Sequence, residues 1–379
     1  MPADLRPNVF SGQTRLPGVD VLRGLAVLFV LLHHIHLRFE FNDYYTDGWL
    51  PQAFNQLFWW SGYQAVIAFF VISGFLITRL SISRWGPLGR VHIREFYTLR
   101  VARIVPCLLL LLLILAALHL MRAPNFTIPP DRASLGRATL AALTFHINYL
   151  EGHQGYLPGG WDILWSLSIE ETFYLLFPLI CALLRSERLL VGPLLGLIVV
   201  GPISRTLLAD QDPWGDYAYF SCTDGIAFGC LAALACARLR ISAWGSRVAL
   251  IAGAAGAVFV LVMRETVARI GLTDRGLHIT VLELSVALML LAFGTGVGNR
   301  VAALGTGWLR RIGHHSYETY LFHMIVVLGL MNLLLRTRAT SHALPLWFAV
   351  MLLLSLSLGE LVARRYSEPL NRRLRSRYL

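Results

Sequence analysis

Apolar runs of about 20 residues alternate with short polar or arginine-bearing segments along almost the whole chain. Ten such runs fall at roughly 17–37, 61–82, 99–121, 164–184, 189–208, 221–238, 247–264, 278–297, 312–335 and 345–365. Each is long enough for an α-helix to cross hydrocarbon, where every backbone polar group must be satisfied within the segment. The pattern predicts an all-α, polytopic integral membrane protein with about ten transmembrane helices in a single domain over 1–379. Between the third and fourth runs lies a long loop, Arg122 to Ile163. It holds a moderately apolar piece, Ala133 to Leu150, which reads as a short re-entrant or interfacial helix. An eleventh full span there would invert everything after it.

Composition fits this reading: the 379 residues are 56% hydrophobic, with a mean hydropathy of +0.60. The net charge of +11 rests on 33 arginines and no lysine. Because these are scattered between apolar runs, they read as topology signals and not as a nucleic-acid surface. With the N-terminus inside, 23 of the 33 face the cytoplasm, from Arg6, Arg15 and Arg23 to the six between Arg364 and Arg377. The outer segments carry acids instead: Glu40, Asp43, Asp47, Asp210, Asp212 and Asp216. Both termini are thus expected in the cytoplasm, in a multi-pass membrane protein. No small-x-small cleavage site follows the first run, which is expected to be a retained anchor. The five cysteines form no CxxC pair, so neither a zinc site nor a disulfide framework is indicated.

Ionisable residues inside apolar runs are costly and point to a cavity or to chemistry. The first run carries Asp20, Arg23, His33, His34 and His36. Arg23 and His34 are eleven residues apart, which returns to within about 20° of one helix face and places the histidine roughly 16 Å further along. An anion-binding entrance below a buried base is the arrangement this spacing offers. A metal site built on His33, His34 and His36 lacks companion ligands at a recognised spacing. In the second run, the small pair Ser73-Gly74 permits either close helix packing or close approach of a ligand. Arg100 and Arg103 share a face at the inner boundary of the third, where they serve as anchors or grip a phosphate. The fourth holds Ser166 and Glu170 on one face, with Glu171 pointing elsewhere. Two adjacent acids there imply a polar cavity or an arginine partner. Asp224 stands near the outer end of the sixth run. Ser316, Tyr320 and His323 line one face of the ninth, bordered by Tyr317 and Glu318.

Taken in order, these pieces resemble the acyltransferase-3 family of integral membrane O-acyltransferases. The resemblance rests on Arg23-x10-His34, the FFxxSGFL-like run Phe69 to Leu76, and FYxxRxxRIxP from Phe96 to Pro106. It continues with WSLxxExxFYLLFP (Trp165 to Pro178), SYxxYLxH (Ser316 to His323) and Glu368-Pro369 before a basic tail. It implies ten core helices and acyl-CoA, most commonly acetyl-CoA, as co-substrate, with no permanently bound cofactor. By the same resemblance His34 and Arg23 would be essential, and Arg100 and Arg103 would hold coenzyme phosphates with Ser73 nearby. Ile163, Leu164 and Thr172 depart from the usual residues around the WSL motif, which bears on the class of acceptor. The chain would be a stand-alone member, with no hydrolase-like domain attached.

Acyl transfer needs a base for the accepting hydroxyl and a donor for the oxyanion. His34 suits the first role, with Glu170 orienting it or steadying its charged form. Ser316, Tyr317 or Tyr320 suit the second, with Ser166, His323 and Asp224 as further substrate contacts. The expected partners are the lipid bilayer, the acyl-CoA donor and a hydroxyl acceptor, whether glycan, lipopolysaccharide or small molecule. The competing reading is a transporter or exporter of a glycan or lipid-linked precursor using the same charged cavity. Against it, no paired interrupted helices recur in matching halves of the chain.

Overall fold

The computed structural model describes residues 15–46, 49–337 and 341–378; Arg6 and Asp47 of the charge pattern lie outside them. Among the described residues, ten helices are long and apolar enough to cross a membrane. They begin with α1 (Pro17–Glu40), α2 (Gly62–Trp85), α3 (Ile93–Leu120), α4 (Leu164–Leu184) and α5 (Glu187–Leu207). There follow α6 (Tyr219–Arg238), α7 (Ala243–Val262), α8 (Leu277–Gly294), α9 (Ser316–Thr337) and α10 (Leu344–Val362). A π-turn at Ala363–Ser367 carries α10 into α11 (Glu368–Tyr378), where Arg372, Arg373, Arg375 and Arg377 gather.

Differences from the sequence reading sit at helix ends. Helix α9 starts at Ser316, because Gly307–His314 forms a separate short helix lying against the start of α1. There His314 Nδ1 stands 3.5 Å from Asp20 Oδ1, and Leu309 and Gly313 are buried. The loop from Arg122 to Ile163 resolves into Leu135–Leu143, Ile147–Gln154 and the single turn Gly159–Asp162. None of these can cross about 30 Å of hydrocarbon. Ser134 caps the first, its hydroxyl accepting from the Arg137 amide at 3.2 Å. The break between the first two falls where Phe145 adopts a φ of 57°, rare for a bulky residue. No eleventh span forms among the described residues.

Helix α2 lies at the centre and packs most extensively on α6. Two glycines permit it: a Cβ on Gly74 would fall on the Ile226 carbonyl oxygen, and one on Gly229 on that of Val71. Backbones in such contact gain dispersion that larger residues would block, the main source of helix association in lipid. Gly74→Val should therefore lower stability by about 1–3 kcal/mol, the usual cost of overpacking. Thermal unfolding in detergent would register the loss, with Gly136→Ala, where an added methyl meets open space, leaving the transition in place. Helix α1 is enclosed by α2, α8, α9 and α10, so its polar residues look into protein. Val199, Ile203 and Leu207 of α5, and Ile251 and Val258 of α7, stay exposed on faces suited to lipid.

Candidate active site

A cavity of about 830 Å³ opens at one end of the bundle and is walled by α1, α2, α3, α4, α9 and α11. That is ample room for a cofactor-sized ligand. It brings together Arg23, Ser73, Arg100, Arg103, Ser166, Glu170, Ser316, Tyr317 and Tyr320, residues spread over some 300 positions of sequence. Besides Arg23, the arginines Arg15, Arg84 and Arg375 border the same space as Arg100 and Arg103.

Several polar wall residues are held by neighbours. The Arg100 guanidinium lies 4.4 Å above the Tyr174 ring, which keeps its donors available for an anion. Arg103 pairs with the buried Glu318 at 3.2 Å and covers the Tyr317 ring, while Glu318 also accepts from Ser367 at 2.6 Å. Arg23 donates to Ser316 Oγ at 2.9 Å. Ser73 and Tyr174 both donate to Glu170 Oε1, at 2.5 and 2.6 Å. Glu170 therefore faces the arginine half of the cavity and not His34. Glu171, one residue on and expected to point away, reaches the same cavity, with its Oε1 buried and without a hydrogen-bond partner among the described residues.

At the inner end Tyr320 donates to the Ile163 carbonyl at 2.9 Å and shares a 2.7 Å hydrogen bond with Ser166 Oγ. Beyond that pair stand His34 and His323, 3.1 Å apart between Nδ1 and Nε2. Arg23 meets Ser316 and His34 meets His323 in the same order along both helices, so α1 and α9 run parallel. The eleven-residue stripe of α1, about 16 Å long, faces a seven-residue stripe of α9, about 10 Å long. The long arginine side chain spans the difference. The three histidines of α1 take separate partners: His33 Nδ1 bonds the Trp59 carbonyl and His36 Nδ1 the Thr46 hydroxyl, each at 2.5 Å.

A second cavity of about 380 Å³ opens at the other end of α2. His33, Trp60, Tyr63, Asp212, Asp216 and Asp274 are among its walls. The His33 ring also lies 5.6 Å from that of His34, centroid to centroid. Near the histidines, Arg38 faces Asp162, which accepts from Tyr217 OH at 2.8 Å. Burial of Glu151 in the short helix Ile147–Gln154, reinforced by Asp162, pushes its carboxyl well above the usual range.

Asp224 lies away from the arginine-lined cavity. It is fully buried and takes a bidentate contact from Arg205, at 3.1 and 2.8 Å, with Glu283 3.9 Å from the same guanidinium. Removing one partner of such a buried pair strands a charge, at about 3–5 kcal/mol. Arg205→Leu should accordingly cut the yield of folded protein sharply, as read by monodisperse recovery in detergent.

Sequence reasoning missed Tyr174, Arg38 and Arg375. Tyr174 sits one turn after Glu170, a spacing that marks a shared face. Arg375 carried no local signal, because it belongs to a tail that reads only as a topology determinant.

An arginine-walled cavity that reaches toward the His34–His323 pair, inside a ten-span bundle, defines a polytopic membrane protein with a polar site enclosed between its helices. The chain belongs to the acyltransferase-3 family, whose acyltransferase-domain model matches residues 16–363. It is similar to the O-acetyltransferase OatA of Staphylococcus aureus strain NCTC 8325 / PS 47, 31% identical over 170 residues. That alignment covers 45% of this chain and 25% of the relative. OatA of strain COL matches to the same extent. The chain thus aligns with about a quarter of the length of these curated relatives. No solved structure matches it.

Proposed function

We propose that the protein is an O-acyltransferase of a bacterial inner membrane, moving an acetyl group from acetyl-CoA to a hydroxyl of a carbohydrate-type acceptor. Family membership supports acyl transfer, and the relatives' name supports O-acetylation. One observation carries the reading of the site. Two cavities from opposite ends of α2 approach the His34–His323 pair, one walled by arginines and the other bordered by Asp212, Asp216 and Asp274 together with Arg205 and His278.

The donor enters at the arginine end, which the charge pattern assigns to the cytoplasm. Its phosphates rest on Arg100 and Arg103, and its pantetheine arm runs inward past Ser73 and Glu170. The acceptor arrives from the aspartate end, where carboxylates accept hydrogen bonds from hydroxyls and Trp60 and Tyr63 offer faces to a sugar ring. His34 takes the proton of the acceptor hydroxyl as its oxygen attacks the thioester carbonyl. The C–S bond then breaks, and the departing thiolate recovers that proton from His34, leaving an ester and free CoA. Ser316 sits about 10 Å back along α9 from His323, and Arg23, which donates to it, about 16 Å back along α1 from His34; both are too far for the reacting carbonyl and suited to the donor's polar arm. Tyr320, one turn from His323, is the hydroxyl that meets the oxyanion, turning from Ile163 to do so.

Membrane vesicles given radiolabelled acetyl-CoA test this. Label should pass to glycan or to an added carbohydrate in wild type and not in His34→Ala. Acetyl-CoA-independent movement of a glycan precursor across the vesicle, with no transfer to any acceptor, would favour a transporter instead.

A further inference from the structure

We infer that His323 is a positioning residue that selects the tautomer of His34 and so exposes Nε2 of His34 as the reacting nitrogen. This rests on the reading of His34 as the base. The ordering of protons starts from a backbone carbonyl. His323 Nδ1 lies 2.7 Å from the Tyr320 carbonyl oxygen, an atom that only accepts. A hydrogen bond of that length requires the proton on Nδ1; a bare nitrogen there would set two lone pairs against each other. In the neutral ring the other nitrogen, Nε2, is then an acceptor. Nε2 lies 3.1 Å from His34 Nδ1, which must in turn donate. The proton of neutral His34 is therefore on Nδ1, and Nε2 is left with its lone pair directed away from His323. The Val30 carbonyl also faces the His34 ring, a second acceptor consistent with a donating nitrogen.

The device is a relay of polarity and not of protons. The Tyr320 carbonyl sets His323, and His323 sets His34, as a carboxylate sets the histidine of a Ser-His-Asp site. Here the orienting group is neutral, which suits a buried location where an additional carboxylate would need its own partner. His323 is fully buried, and the charged group facing both rings is Arg38 of α1, itself opposite Asp162. Ring centroids of His34 and His323 lie 5.0 Å apart at 42°, which is the geometry of an edge-to-edge hydrogen bond and not of a stack.

Two readouts test it. In lipid-reconstituted protein labelled with ¹⁵N-histidine, and with the His34 signals assigned by loss in His34→Gln, wild type should show Nδ1 protonated and Nε2 bare. A spectrum with the proton on Nε2 of His34 overturns the inference whatever the activity. In the vesicle assay with radiolabelled acetyl-CoA, His323→Leu should lower kcat about 10²-fold or more with the KM for acetyl-CoA unchanged. His323→Gln, whose amide oxygen can accept from His34 Nδ1, should recover activity to within about tenfold of wild type. Equal activity of His323→Leu and wild type, alongside an inactive His34→Ala, would refute the positioning role and leave the proposed function standing. An active His34→Ala would remove the function reading, and the nitrogen spectrum would still decide the tautomer. Should His323→Leu fail to fold, the wild-type spectrum and His323→Gln carry the test.

Discussion

His34→Ala should reduce acetyl transfer by about 10²–10⁴-fold, the usual contribution of a positioned base, while the protein still inserts and folds. Stability should survive because alanine removes a half-buried ring whose side-chain hydrogen bond is to His323, and leaves the apolar contacts of α1 intact. Val27, Val30, Leu31 and Ile35, which anchor that helix in the bundle, are all fully buried. His323 loses one partner but keeps the Tyr320 carbonyl. The kinetic signature matters as much as the size. A base acts only in the transition state, so kcat and kcat/KM should fall together with acetyl-CoA binding unchanged. A variant that bound acetyl-CoA poorly but kept its kcat would place the chemistry elsewhere.

Arg100→Ala should have the opposite signature, raising the KM for acetyl-CoA about 10-fold or more with a smaller change in kcat. One charge-assisted hydrogen bond to a phosphate contributes about 1.5–3 kcal/mol, and a tenfold change corresponds to about 1.4 kcal/mol. Arg100 is the cleaner of the two arginines to remove. Its guanidinium rests on the Tyr174 ring, and α3 keeps its buried apolar contacts without it. Arg103, by contrast, is the ion-pair partner of buried Glu318, 3.2 Å away. Its removal strands a carboxylate beside the π-turn at Ala363–Ser367 and confounds binding with folding. Titration of binding with dephospho-CoA beside CoA would show which phosphate Arg100 meets. An unchanged KM in Arg100→Ala would exclude it from the donor site.

The ten spans were legible from hydropathy alone, because hydrocarbon demands a run of fixed length wherever the chain crosses. The stripe from Arg23 to His34 was legible for a related reason: helical period places both on one face regardless of what that face meets. Ser73-Gly74 offered packing or ligand contact, and in the structure the two residues part ways. Gly74 admits the α6 backbone, while Ser73 turns into the cavity. Where sequence reasoning stopped is equally specific. It paired Glu170 with His34, whereas Glu170 is taken up by Ser73 and Tyr174. It aimed Glu171 away from the site, yet a cavity with walls on several sides collects side chains from more than one helical face. Asp224 looked available near the outer end of its span, until Arg205 and Glu283 enclosed it.

The sequence by itself determined the number of crossings, the charge bias of the two ends and which residues share a helix face. These follow from local rules of length, period and solvation that each segment obeys alone. Only the tertiary structure decided that His34 meets His323, 289 residues away, that Arg375 of the tail borders the same cavity as Arg100, and that two cavities approach one histidine pair. Those are relations between helices. They depend on which small residues let backbones touch and which buried charges must find partners, a balance struck over the whole bundle at once.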